Sequence, residues 1–232
     1  MKKVLSIMVA LVLGISVFAF IPVKADASLP FNDVSQSDWF YTPLVWCYDN
    51  GILNGISTDE FGPNYSMTRG MMVTVLWRYA GSDNERIAAA AGGGEFSDVP
   101  TDAYYYQAVN WAASKGIVNG VVNDMVLGSG NALFAPNDTI TREQMYTILY
   151  RYMNFDGLTI PLDEGPRVQF ADENQIDDWA KPALHLMYDA GIMFRDNDFD
   201  NYARPQDQAL RGEIAGAMYF FNMYAKPIPR YL

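Results

Sequence analysis

The chain has 232 residues, half of them hydrophobic and 14% aromatic, and a formal net charge of −11. Such acidity argues against nucleic-acid binding, which draws much of its affinity from basic contacts to phosphate. The single cysteine, Cys47, rules out an intrachain disulfide, so the fold must rest on its apolar core. The single histidine, His185, aligns with no repeated partner and speaks against a catalytic triad or a histidine-rich zinc site; it reads as a solvent-facing side chain.

Residues 1–27 read as a secretory signal. Lys2 and Lys3 give a positive start, Val4 to Ile21 is nearly all apolar, and Pro22 and Ala25-Asp26-Ala27 follow, with cleavage after Ala25 or Ala27. A retained membrane anchor is the alternative for a run of this length. Cleavage is favoured by the helix-breaking proline and the small residues directly behind the run. Loss of three lysines and one aspartate takes the net charge from −11 to −13. No second long apolar run exists, so the mature chain is expected outside the cytoplasm with no membrane span.

What remains repeats three times, and internal repeats decide the architecture. Trp39, Tyr104 and Trp179 each precede a glycine by 12 residues, at Gly51, Gly116 and Gly191, and each glycine is followed by isoleucine. Pro63, Pro136 and Pro205 each precede an arginine by six, at Arg69, Arg142 and Arg211. Upstream, Phe31-Asn32-Asp33-Val34 matches Phe96-Ser97-Asp98-Val99, with Phe170-Ala171-Asp172 as a looser third copy. The organisation is then a first repeat at 28–81, a glycine-bearing linker at 82–95, a second repeat at 96–152, a linker at 153–169, a third repeat at 170–224 and a tail at 225–232.

Each repeat carries two helices. The first is expected near 41–50, 104–115 and 179–190, where apolar residues recur three or four apart, and ends at a glycine suited to a left-handed cap. Cys47, Ala112 and Met187 share one slot on it, an apolar core position. The second helix is expected near 69–79, 142–152 and 212–223. Thr141 and Gln144 make a capping box; Thr68 caps without the return partner, and Leu210 stands where threonine would, with Glu213 retained. No repeat is long enough to bury both helices alone, so the three are expected to pack together.

These residues resemble the S-layer homology module. Its pattern is an aromatic-x-Asp-Val start, Gly-Ile-x-x-Gly, Phe-x-Pro and a Thr-Arg helix start. The pieces here are Phe31 to Val34, Gly51 to Gly55, Phe61-Gly62-Pro63 and Thr68-Arg69, then Phe96 to Val99, Gly116 to Gly120, Phe134-Ala135-Pro136 and Ile140-Thr141-Arg142. The third copy departs, with Arg195 for the second glycine, Ala203 for phenylalanine and Leu210 for threonine. The resemblance implies a mainly α fold in which three tandem helical modules pack as a pseudo-threefold unit. It implies grooves between modules that hold secondary cell-wall polysaccharide, often ending in a pyruvylated amino sugar, and so fasten proteins to a Gram-positive wall. The arginine is the typical contact to the acidic sugar. The aspartate and the Gly-x-x-Gly loop help line the groove.

The physical reading of Arg69, Arg142 and Arg211 agrees: a guanidinium at a helix start can hold a carboxylate bidentately while the helix end adds N–H groups. The competing reading pairs each arginine with an acid of a neighbouring repeat. Arg142 ranks above Arg211, which sits in the degenerate copy. Asp33, Asp98 and Asp172 either accept sugar hydroxyls or cap a short turn. Trp39 and Trp179 either stack on sugar or belong to the core, and Tyr104 shares their slot. Asp196, Asp198 and Asp200 alternate as calcium ligands would, but Asn201 and Asp207 replace the glycine and glutamate of an EF-hand loop, so an ordinary acidic turn is preferred. No cofactor is expected.

The function expected is non-catalytic attachment to the surface of a Gram-positive-type bacterium through an anionic wall polysaccharide. The alternatives are a surface-assembly subunit that binds other surface proteins, and a wall-acting hydrolase.

Overall fold

The computed structural model describes residues 29–81, 96–121, 133–162, 168–193 and 201–227. The signal at 1–27, the linker at 82–95 and the acidic run Asp196, Asp198 and Asp200 lie outside the described residues. Six α-helices occur among those described: α1 Tyr41–Asp49, α2 Arg69–Tyr79, α3 Tyr106–Ser114, α4 Arg142–Phe155, α5 Lys181–Asp189 and α6 Arg211–Tyr224. The molecule is mainly helical, as the spacing indicates.

The helix boundaries follow local chemistry. Gly51, Gly116 and Gly191 end α1, α3 and α5 at φ of 67°, 66° and 70°, a conformation that costs an L side chain about 1–2 kcal/mol. Thr141 and Gln144 form the full capping box on α4, and Thr68 accepts from the Met71 N–H on α2. Leu210 has no side-chain acceptor, but Glu213 reaches back to its N–H at 2.9 Å. Beyond α4, in the stretch read as a linker, Leu158–Thr159 forms a short strand, β1, paired antiparallel with β2, Lys226–Pro227. That pairing ties the tail to the body.

Helix packing crosses repeat boundaries. The second helix of each repeat packs against the first helix of the next: α2 on α3, α4 on α5, and α6 back on α1. The cycle closes on itself, so no repeat completes its core alone. Two further rings close the same way. Met67 N–H donates to Ala209 O, Ala209 N–H to Ile140 O and Ile140 N–H to Met67 O, at 3.1, 2.9 and 2.9 Å. Tyr79, Tyr152 and Phe221, each ten residues after its arginine, meet pairwise with ring centroids 5.9, 5.9 and 6.1 Å apart. These are favourable aromatic separations.

A notch explains one deviation between repeats. Gly70 and Gly212 sit against the rings of Tyr105 and Phe40; a Cβ on Gly70 would lie 3.0 Å from Tyr105. In the remaining interface the aromatic is Ala180 and the glycine is Glu143. Glu143 is 2% exposed, accepts from Asp177 N–H and Gln206 Nε2, and burial raises its pKa above the usual carboxylate value. Cys47 is buried as expected, its Sγ donating to Ala215 O, and desolvation pushes the thiol up to about 12. His185 departs from expectation. It is half-buried, stands 3.0 Å from Glu173 and lies against the Phe170 ring.

Two outcomes follow from the backbone and from Glu143. Ala135 holds φ of 56° where the first repeat has Gly62 at 71°. Ala135→Gly should raise the unfolding free energy by up to about 1 kcal/mol by relieving the left-handed strain, measured by denaturant unfolding. Because the fold binds the Glu143 proton more tightly than the unfolded chain does, this group favours folding below the ordinary value of 4.5. That contribution is lost as pH rises through the raised folded value. The stability of Glu143→Gln relative to the parent should therefore climb between pH 4 and pH 7 in paired melts.

Candidate binding clefts between repeats

The three arginines do the same thing in turn. Each leaves the start of a second helix and enters the next repeat. Arg69 Nε donates to Phe134 O at 2.9 Å, Arg142 Nε to Ala203 O at 3.0 Å and Arg211 Nε to Phe61 O at 2.7 Å. Nη2 of Arg69 and of Arg211 also reach Asn119 O and Asn54 O. The guanidinium carbons of Arg69 and Arg211 lie 4.7 and 4.6 Å from the Phe134 and Phe61 rings. Where Ala203 replaces that phenylalanine, Arg142 stands over Tyr146 instead, at 5.9 Å. All three are buried, and desolvation lowers the pKa of Arg69 and Arg211 from the ordinary arginine value.

The aspartates build the loops that the arginines grip. Asp33 accepts from Phe61 and Gly62 N–H, Asp98 from Phe134 and Ala135 N–H, and Asp172 from Ala203 and Arg204 N–H, all at 2.7–2.8 Å. Both oxygens of each carboxylate are thereby taken by backbone donors. The two readings left open by sequence divide here on geometry, and the turn-capping one matches the observed bonds. The second residue of each loop has positive φ: 71° at Gly62, 56° at Ala135 and 49° at Arg204. Two charge-assisted bonds per aspartate offset that strain.

Two clefts open beside the arginines. One, of ≈ 520 Å³, is bounded by Arg69, Asn119, Gln144, Thr147, Arg151 and Trp179. The other, of ≈ 390 Å³, is bounded by Arg211, Asn54, Met71, Thr74, Arg78 and Tyr104. The two are built alike. An arginine comes from the preceding repeat, a loop and second helix from the cleft's own repeat, and an aromatic from the following one. Trp179 is 46% exposed and Tyr104 63%, so this slot faces solvent rather than core; Trp39 is also 44% exposed. Asp33, Asp98, Asp172 and Trp39 line neither of these two clefts.

Arg142 differs. Its Nη1 is ion-paired with Glu213, with both side chains largely buried at 6% and 14% exposure. Glu213 occupies the position held by Gln144 in the second repeat and Met71 in the first. The competing reading of the arginines, an internal ion pair, therefore describes Arg142. Among the described residues no carboxylate is ion-paired with Arg69 or Arg211.

Arg78 and Arg151 were missed by the sequence reading. Each stands nine residues after its arginine, and in the third repeat Phe220 takes that place. Extending the repeat alignment along the second helix would have found them. Among the described residues no group of three or more His, Cys, Asp or Glu could hold a metal ion, and no helix is long and apolar enough to cross a membrane.

Residues 30–71 and 95–145 match the S-layer homology domain. The third repeat lies outside the matched segments. The chain is 27% identical over 221 residues to an endoglucanase of Bacillus sp. (strain KSM-635), covering 92% of this chain and 21% of that protein. It is 28% identical to the surface-layer 125 kDa protein of Lysinibacillus sphaericus, covering 75% of this chain and 13% of that protein. It is 27% identical to a cell surface protein of Thermoanaerobacter kivui, covering 69% of this chain and 20% of that protein. The chain thus spans about a fifth of these relatives' length or less.

Removing the Arg142 side chain strands Glu213 in a buried position. Arg142→Ala should destabilise the fold by about 3–5 kcal/mol, and Arg142→Ala with Glu213→Gln by less than the two separate losses combined, in a double-mutant cycle of unfolding free energies.

Proposed function

We propose that this chain, which carries S-layer homology domains at residues 30–71 and 95–145, is a non-catalytic anchoring protein of a Gram-positive-type cell surface. It holds an acidic secondary cell-wall polysaccharide, bearing a pyruvylated amino sugar, in the clefts between its repeats. The surface-layer and cell-surface relatives support the location. The endoglucanase resembles this chain over only 21% of its own length, which supports a role separable from that enzyme's activity.

The observation that carries the reading is the ion pair of Arg142 with Glu213. The arginine that enters each neighbouring repeat lies where a carboxylate can reach it, and in one of three interfaces the chain supplies that carboxylate itself. In the two described clefts the counterpart is uncharged, Gln144 or Met71, so the arginine charge there meets no carboxylate of the chain. An acidic sugar fits there. Its carboxylate meets a buried guanidinium, its hydroxyls meet the Asn54 or Asn119 side, and an apolar ring face can rest on Tyr104 or Trp179. Arg69, Arg211, Trp179 and Tyr104 are thus the proposed contacts, while Asp33, Asp98 and Asp172 hold the loops. The acidic chain repels polyanions at long range, so retention must come from these local cations.

The test is sedimentation of the purified chain with Gram-positive walls before and after extraction of the secondary polymer. It should pellet with intact walls and stay in solution with stripped ones. Binding that survives stripping would replace the polysaccharide with a protein partner, and sugar or peptide released over time would make the chain a hydrolase. The ion pair of Arg142 with Glu213 supports the opposite order of two arginines from the sequence-based one. With folded fractions matched, Arg211→Ala should reduce wall retention more than Arg142→Ala, whose charge is already neutralised.

A further inference from the structure

The two described clefts share a plan but differ in the state of their second cation. Arg78 Nη1 donates to Ile52 O at 3.4 Å. Arg151, at the matching place, is half-buried and has no hydrogen bond or ion pair among the described residues. Its surroundings desolvate the guanidinium and lower its pKa from the ordinary value. One helical turn earlier, at i and i+4 on the same face of α4, stands Thr147. Its hydroxyl is buried and has no partner among the described residues. The matching Thr74 hydroxyl donates to Gly70 O at 2.8 Å. In the third repeat the pair is Gly216 and Phe220.

From this contrast we infer that Arg151, seconded by Thr147, is the acid-selecting edge of the larger cleft, and that this cleft is the chain's principal site for the charged sugar. The inference rests on the anchoring function above and adds the residues that set its selectivity. Arg69 has three of its five N–H groups committed to Phe134 O, Gln144 Oε1 and Asn119 O, which hold the guanidinium in place. It supplies a fixed positive floor. Arg151 has its donors free among the described residues and sits at the partly dehydrated wall, where a charge-assisted bond is stronger than in bulk water. Threonine populates two χ1 wells in a helix, so the Thr147 hydroxyl can swing to a ligand acceptor when one arrives. Thr74 already donates inside the protein and Arg78 is exposed and bonded to Ile52 O, so neither offers a ligand the unpartnered, partly dehydrated donors of Thr147 and Arg151.

The experiment compares Arg151→Gln, Thr147→Val, Arg78→Gln and Thr74→Val in the intact chain. It uses two probes, a pyruvylated amino-sugar glycoside and the same glycoside without the pyruvyl group, with thermal melts run in parallel. Arg151→Gln should weaken the pyruvylated probe about tenfold and leave the neutral probe within about twofold, the scale of one charge-assisted bond. Arg78→Gln should change the pyruvylated probe by less than about threefold. Thr147→Val should reduce affinity about three- to fivefold without lowering the melting midpoint, whereas Thr74→Val should leave affinity nearly unchanged. Equal losses for both probes in Arg151→Gln, or a larger loss in Arg78→Gln, would overturn the assignment. A parent chain that binds intact walls while Arg151→Gln and Thr147→Val bind as well as it does would refute this inference and leave the anchoring function standing. A parent chain that ignores both walls and probes would refute the anchoring function itself.

Discussion

A guanidinium that crosses from one repeat to a backbone carbonyl of the next is the interaction on which this structure depends. The carbonyls of Phe61, Phe134 and Ala203 are presented by loops whose N–H groups are held by Asp33, Asp98 and Asp172. The aspartate shapes the loop within its own repeat, and the arginine reads that loop from outside. Three such steps return to the start. The helix pairs, the ring of Met67, Ile140 and Ala209, and the aromatic triangle of Tyr79, Tyr152 and Phe221 close in the same order. Removing any one repeat would therefore expose two interfaces, which is why a chain of short helix pairs folds as a unit.

The same step creates the clefts. An arginine tied to a carbonyl by Nε cannot retreat to solvent, so its charge stays at the seam between repeats. Desolvation there lowers its pKa, yet a guanidinium remains charged at neutral pH. Among the described residues, the seams differ in what answers that charge: a carboxylate from Glu213 at Arg142 and an amide from Gln144 at Arg69, while Met71 takes the matching position near Arg211. Nε ties one repeat to the next in all three seams, and the outer nitrogens add bonds that differ from seam to seam, to Asn119 O, Asn54 O or Glu213.

Much of this was legible in the sequence. The 12-residue step to glycine located α1, α3 and α5 and their left-handed ends, and the capping residues located α2, α4 and α6. The three arginines stood out by offset alone. What spacing could not convey was direction. Nothing in the offset from Pro63 to Arg69 says that the side chain enters the second repeat rather than its own. The aspartates stayed ambiguous for the same reason, since a carboxylate two loops away from its N–H donors leaves no local trace. The exposed setting of Trp179 and Tyr104 depends on α5 and α3 being seated on a neighbour's helix, a long-range fact. Arg78 and Arg151 were within reach of the alignment but carried no motif to mark them.

The third repeat separates two kinds of constraint. Its axial core positions keep their character: Phe221 completes the aromatic triangle and Ala209 closes the backbone ring, while two buried aromatic slots of the other repeats become Ala180 and Ala203. Further changes fall where the other repeats line a cleft, with Glu213 for Gln144, Gly216 for Thr147 and Phe220 for Arg151. A residue of the aromatic triangle touches both other repeats, so altering it disturbs two interfaces at once. A cleft-wall residue is not enclosed by both other repeats, and the three arginine–carbonyl ties persist despite the exchanges there. Glu213 goes further, because its two oxygens serve the α6 N-terminus and Arg142 together. A cleft position has there become a structural one, at no cost to the ring that holds the three repeats.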